Sequence, residues 1–360
     1  MIRIVVARYG GPDVLEPREE PLCEPRSGEA RVRVEAAGVS FADLLVRQGL
    51  YPGGPRPPLT PGYDLIGRVD ALGSGGEGEF ARADAPSSRG PLPARPAGTD
   101  SAALVGSRVA ALTVTRSYAQ YVCLPARDLV PVPPSLDAGE AVCLVLNYLT
   151  AWQMLHREAR VPGGGAILVH GAAGGVGTAL LELGRLAGIT RFGTVSRAKH
   201  AAIAHLGAEL IDYRSEDFVS RVLERTKGAG VQAAFDPVGG ANLRRSYRCL
   251  ARGGRLVSYG ATIMSRRGRL AGYRSGGASL ARVAWLSLVP DGRRASFYSI
   301  LHYRHRHPAW FREDLGHLFA LLEQGRVRPI VAARLPLVEA ARAHRMLEEG
   351  ATIGKIVLLP

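Results

Sequence analysis

A chain of 360 residues with 46% apolar side chains is long enough and apolar enough to bury the cores of two ordinary domains. No apolar run reaches membrane-spanning length, and the opening Met1-Ile2-Arg3-Ile4-Val5-Val6 reads as a strand without the layout of a leader, so a cytoplasmic protein with no membrane partner is expected. The net charge of +14 comes from 46 basic residues, of which only Lys199, Lys227 and Lys355 are lysines; they are scattered along the chain, which argues against specific nucleic-acid binding while still attracting anionic ligands.

Residues 1 to about 70 alternate short strands and turns. Ala30-Arg31-Val32-Arg33-Val34-Glu35-Ala36 has period-two alternation, and Leu65-Ile66-Gly67-Arg68-Val69 is a further strand. Between them, Gly38-Val39-Ser40-Phe41-Ala42-Asp43 leads into a short helix through Arg47, and Gly49-Leu50-Tyr51-Pro52-Gly53-Gly54 is a turn-rich loop. The whole reads as a β-rich, partly closed unit. From 73 to 103, Ser, Gly, Pro, Ala and Arg dominate without apolar periodicity, which predicts a flexible surface insertion. Strand signals return at 107–112 and 118–122. The cysteines Cys23, Cys123, Cys143 and Cys249 lie far apart in sequence with no C-x-x-C pair, so neither a disulfide framework nor a structural zinc site is indicated.

Pro131 to Pro134 marks a boundary, after which Ser135 is the expected N-cap of a long helix running to about Glu158. The stretch Gly165 to Lys199 then carries the strongest signal. The apolar run Ala166-Ile167-Leu168-Val169 is followed by Gly171-Ala172-Ala173-Gly174-Gly175-Val176-Gly177. Apolar residues at helical spacing come next. Strand, glycine turn and helix form the first half of a dinucleotide-binding βαβ unit, in which glycines admit the pyrophosphate to backbone N–H groups at a helix N-terminus. The second strand, Arg191 to Val195, ends in Ser196, Arg197 and Lys199 where an acid would select NADH. A hydroxyl and two cations suit a ribose 2′-phosphate, so the expected cofactor is NADPH.

Further strand–helix units follow at 209–213, 218–225, 231–236, 241–250 and 255–260, predicting an α/β fold with a doubly wound parallel sheet. Residues 261 to about 303 blur, although 280–289 is apolar enough for a buried helix or an interface. His302, His305 and His307 are separated by Arg304 and Arg306, which would repel a metal, and this segment reads as a basic loop. A helix from Pro308 to about Gln324, a strand, a helix near 339–348 and a closing strand at 353–359 complete the chain.

Together these motifs resemble the medium-chain dehydrogenase/reductase superfamily, and within it the zinc-independent NADPH:quinone oxidoreductase, or zeta-crystallin-like, branch. The likeness rests on Gly38 to Asp43, Gly49 to Pro52, Pro61-Gly62-Tyr63-Asp64, His170 to Gly177, Gly193 to Ser196 and Gly354-Lys355-Ile356-Val357, in that order. It implies a Rossmann NADPH-binding domain at 134–299 and a GroES-like, partly closed barrel formed by 1–133 with 300–360. It also implies a homodimer. The zinc alcohol dehydrogenases of the superfamily have Cys and His where this chain has Ser40 and Phe41, and a Gly-His-Glu where it has Gly62-Tyr63-Asp64. No metal is therefore expected, because catalytic zinc needs three protein ligands.

The chemistry implied is hydride transfer from NADPH to a quinone or an α,β-unsaturated carbonyl, with a non-catalytic NADPH-binding scaffold as the alternative. By the same resemblance, Gly174, Gly175, Val176 and Gly177 meet the pyrophosphate. Ser196, Arg197, Lys199 and Tyr213 face the adenosine phosphate, and Thr150, Gly260 and Ala261 the nicotinamide. Tyr51, Tyr63 and Asp43 stand on the substrate side.

Overall fold

A computed structural model describes residues 1–73, 104–260 and 269–360, with the side chains of 269, 270 and 273 also outside the description. The expected insertion lies, beyond residue 73, outside the described residues, as does Ala261.

The chain begins with a hairpin, β1 (Ile2–Val6) and β2 (Leu15–Glu19). Next come β3 (Glu29–Val39), α1 (Phe41–Gln48), β4 (Asp64–Leu72), β5 (Arg108–Leu112), β6 (Tyr121–Pro125) and β7 (Val130–Pro131). Register shifts between Arg31 and Val32 and between Val34 and Ala36 let the long β3 bend, so that it pairs with β4 and with β6. Val32 and Val34 lie on its buried side, as their alternation predicts.

A helical run, α2 (138–158), crosses to the second half of the molecule. Its N-cap is Asp137 and not the expected Ser135, because the Asp137 carboxylate accepts the Glu140 N–H at 2.9 Å. Two stretches, Leu144–Tyr148 and Gln153–Glu158, are wound as π-helix.

The alternating units follow: β8 (Ala166–His170), α3 (Gly175–Leu186), β9 (Thr190–Thr194), β10 (Glu209–Ile211), α4 (Phe218–Arg225), β11 (Val231–Asp236), α5 (Asn242–Arg248) and β12 (Leu250–Tyr259). Then come α6 (Arg269–Ser287), β13 (Arg294–Tyr298), α7 (Ile300–Arg306) and α8 (Pro308–Glu323). The chain ends with β14 (Val331–Pro336), α9 (Ala340–Glu348) and β15 (Lys355–Leu359). The basic segment expected as a loop is α7, started by Ser299, whose hydroxyl caps it.

Six strands form a parallel sheet in the order β10-β9-β8-β11-β12-β13, with apolar clusters on both faces. This is the expected doubly wound sheet. The seven-stranded sheet is the expected β-rich unit; its path is β14-β15-β3-β4-β5-β7, with β6 on β3. The last strand closes onto β3 through Ile356 opposite Val39 and Val357 opposite Gly38. Strand order in the parallel sheet reverses between β8 and β11, and a crevice opens there at the carboxyl ends of the strands. The two sheets meet at this crevice. Gly354 donates its N–H to Ala173 O at 2.9 Å, and a Cβ at Gly354 would lie 2.0 Å from Ile330 O.

Candidate active site

A cleft of about 850 Å³ occupies the crevice. One end is built largely from backbone. Gly174, Gly175, Val176 and Gly177 line it at the start of α3, a helix whose N-cap is Gly174 and which has no side-chain cap. The first-turn amides therefore remain open to an anion, and the helix dipole favours one. Side chains are excluded sterically. A Cβ on Gly177 would sit 2.2 Å from Gly171 O, and one on Gly175 would sit 1.9 Å from Asn147 Nδ2.

Behind the turn, a buried network locks the strand ends. Asp236 accepts from the Ser246 hydroxyl at 2.7 Å, so His170 Nε2 donates to Ser246 at 2.9 Å. His170 Nδ1 then accepts from the Thr194 hydroxyl at 2.8 Å. Burial lowers the His170 pKa, which matches the neutral ring that this pattern requires.

Ser196, Lys199 and Tyr213 line the same end, but Arg197 is exposed and is not among the lining residues. Lys199 is committed to backbone: its Nζ donates to Thr352 O at 2.9 Å and to Gly350 O. Arg214, directly after Tyr213, lines the cleft and is exposed. Sequence reasoning passed over it, although its place just beyond a strand end was a usable signal.

The other end is made of side chains. Phe41, Leu45, Tyr51, Pro52, Tyr63 and Ile300 supply most of the wall. The Tyr51 and Tyr63 hydroxyls are 2.8 Å apart, with their rings edge to face. Burial raises both phenols above their ordinary range, and either hydroxyl can donate in the bond they share.

Asp43 is not on the cleft wall. It is fully buried beneath it, where its carboxylate accepts Ser40 N at 2.8 Å, Ser40 Oγ at 2.7 Å and Gly62 N at 2.9 Å. It thus caps α1 and fixes the turn that carries Tyr63.

Thr150 lines the cleft from α2, as does Tyr298 from β13, and the Tyr298 hydroxyl donates to Gln153 Oε1 at 2.7 Å. Gln153 in turn donates to the buried Asp314 at 3.1 Å, and Asp314 also takes Trp152 Nε1 and Arg157. This chain sets the direction of every proton in it. Tyr298 donates to Gln153, which is not among the cleft-lining residues. No motif pointed to it, because β13 falls in the stretch whose pattern blurs. Gly260 reaches the cleft as expected, with φ of +67°.

The residues at the zinc-ligand positions do not fit a metal. Ser40 is a helix cap and Phe41 has no donor atom. Tyr63 is bonded to Tyr51, and Asp64 is held by Lys355 Nζ at 2.8 Å in a buried pair. This set offers no tetrahedral N/S site.

Comparison with known proteins places these features. Residues 206–358 match the model for zinc-binding dehydrogenase, and residues 26–134 match that for the alcohol dehydrogenase GroES-like domain. The chain is 34% identical to the quinone oxidoreductase of Pseudomonas aeruginosa over 361 residues, covering 99% of each. It is 31% identical to the rat synaptic vesicle membrane protein VAT-1 homolog over 368 residues, covering 99% of this chain and 83% of that one. Among solved structures, the Escherichia coli quinone oxidoreductase complexed with NADPH superposes with a TM-score of 0.82 at 28% identity, covering 100% of both chains. A Pseudomonas syringae quinone oxidoreductase gives 0.80 at 30% identity, covering 100% of this chain and 99% of that one.

Proposed function

Because the chain belongs to the quinone oxidoreductase branch of the medium-chain dehydrogenase/reductase superfamily, we propose that it is an NADPH-dependent, zinc-independent reductase of quinones or α,β-unsaturated carbonyls. The observation that carries this reading is the continuity of the cleft. It runs from an uncapped helix N-terminus behind a glycine turn to an apolar chamber with a hydrogen-bonded pair of phenols and no metal-ligand set.

NADPH, when bound, supplies the hydride. The open amides of Gly175, Val176 and Gly177 hold the pyrophosphate. Ser196, Tyr213 and Arg214 face the 2′-phosphate, and Lys199 ties that end to the segment before β15. Thr150 and the backbone of Gly260 border the nicotinamide, with Ala261 next in sequence. Quinones and enones suit a metal-free site, since the charge left by hydride addition delocalises onto oxygen. Tyr51 remains neutral because burial holds its proton, and it donates that proton toward the oxygen. Tyr63 holds the Tyr51 hydroxyl in place through the bond they share.

The edge strand β13, unpaired on its outer side among the described residues, and the exposed Trp285 of α6 and Leu288 just after it support a homodimer. Among the described residues no helix is long and apolar enough to cross a membrane.

The test is NADPH absorbance followed with panels of quinones, enals and enoyl thioesters, before and after dialysis against a chelator. Turnover of one panel, unchanged by the chelator, is the expected result. Tight NADPH binding without turnover of any of them would replace the reductase with the binding-protein reading.

A further inference from the structure

Cys23 and Cys123 are separated by 100 residues, yet their sulfur atoms lie 2.9 Å apart. Both are free thiols. Cys123 stands on β6, directly across from Arg31 of β3. Its neighbours Val122 and Leu124 face the core of the β-rich unit, so Cys123 points to the opposite, outer face. There Cys23 covers it, in the segment between β2 and β3. That segment is held in place as Arg31 donates to Cys23 O at 3.2 Å while also gripping Asp70 at 3.0 Å.

The two sulfurs are inequivalent. Cys123 is buried, and burial together with its S–H bond to Cys23 pushes its pKa up to about 12. Cys23 is half-buried and so is the one that solvent reaches. Less than an ångström of side-chain motion separates this contact from a covalent bond.

We propose that Cys23 and Cys123 form a reversible disulfide, with hydrogen peroxide as oxidant and Cys23 as the reacting thiol. Cys23 sulfur attacks one peroxide oxygen, the O–O bond breaks, and the second oxygen leaves as water after taking a proton; Cys23 is then a sulfenic acid. Cys123 sulfur attacks the Cys23 sulfur, the S–O bond breaks, and hydroxide departs with the Cys123 proton as a second water. The two thiols lose two electrons and two protons, and one peroxide becomes two waters. The bond fastens the segment before β3 to β6 and closes a loop of about 100 residues, which raises stability chiefly by restricting the unfolded chain. The clamp lies on the outer face and is independent of the reductase reading.

The test uses the full chain, reduced and then treated with peroxide, with mass spectrometry under non-reducing conditions. The expected result is a loss of about 2 Da, two thiols remaining of four, one peptide pair linked through Cys23 and Cys123, and full reversal by dithiothreitol. In Cys123→Ser the peroxide-treated chain should instead gain one oxygen at Cys23, which separates the order of steps from mere proximity. Retention of all four thiols, linkage of any other pair, or oxygen addition to Cys23 in the unaltered chain without a bond to Cys123 would overturn the proposal.

Discussion

The two ends of the cleft are made of different material. The cofactor end is largely backbone: a glycine turn, a helix N-terminus and the ends of parallel strands. The substrate end is side chain, gathered from α1, the loop after it, α2 and the strand ends near β13. Backbone sites tolerate almost no added atom, because a peptide cannot move aside. Side-chain sites tolerate substitution but depend on partners that orient them. The largest expected effect therefore belongs to the cofactor end. Gly177→Ala places a methyl 2.2 Å from the Gly171 backbone oxygen, so the turn must open. NADPH affinity, measured by fluorescence titration, should fall by at least about a hundredfold while the fold persists. A loss of threefold or less would mean that this turn is not the phosphate cradle.

At the substrate end the expected loss is in rate. Tyr51→Phe should lower kcat for an enone by roughly a hundredfold, the scale of one oriented donor to a developing oxyanion, and leave NADPH binding as it was. Tyr63→Phe should cost less, since Tyr63 acts through Tyr51. An equal loss in both would point to packing and not to proton donation.

This contrast also explains what could be read from the chain alone. The glycine turn, its helix and the parallel sheet were legible because each is local: strand, turn and amphipathic helix are encoded within about thirty residues. The start of α2 lies two residues later than expected because Ser135 and Asp137 are both good caps, and which of them meets an amide is settled by the fold, where Asp137 accepts Glu140 N. The basic tract 302–307 read as a loop because its charges hid the helical face; Ile300 is buried and Ser299 supplies the cap. Tyr51 and Tyr63 could be named as candidates, but their mutual bond is a tertiary fact. The chain from Tyr298 through Gln153 to Asp314 spans elements more than 140 residues apart, and nothing in local pattern announces it. Asp43, expected on the substrate side, lies buried beneath the cleft, because residue type alone cannot distinguish a carboxylate that faces a ligand from one that caps a helix.

A smaller effect separates the cations of the cofactor end. Arg214 lines the cleft and Arg197 does not, so Arg214→Glu should weaken NADPH by about tenfold and leave NADH nearly unchanged. Arg197→Glu should change either affinity by less than threefold. Should Arg214→Glu weaken both cofactors equally, the 2′-phosphate lies elsewhere.

A last expected effect is one of pH, read in stability and not in binding or rate. Burial raises the Asp43 pKa from 3.8 to about 7, so between those values the folded state holds a proton that the unfolded state has lost. Stability from this group is full below 3.8 and declines as pH rises toward 7. His344, buried against Arg47 and Tyr118, is lowered from 6.5 to about 3. Its folded state rejects a proton that the unfolded state accepts, so its contribution is present above 6.5 and is lost as pH falls toward 3. Over roughly pH 4 to 6.5 the two slopes oppose one another. Asp43→Asn should remove one of them, and urea unfolding at pH 4.5 and 6.5 should then show stability rising with pH more steeply than in the unaltered chain, by up to about 1.4 kcal/mol per pH unit. An unchanged slope would mean that the three donors on Asp43 keep it ionised in the folded state throughout this range.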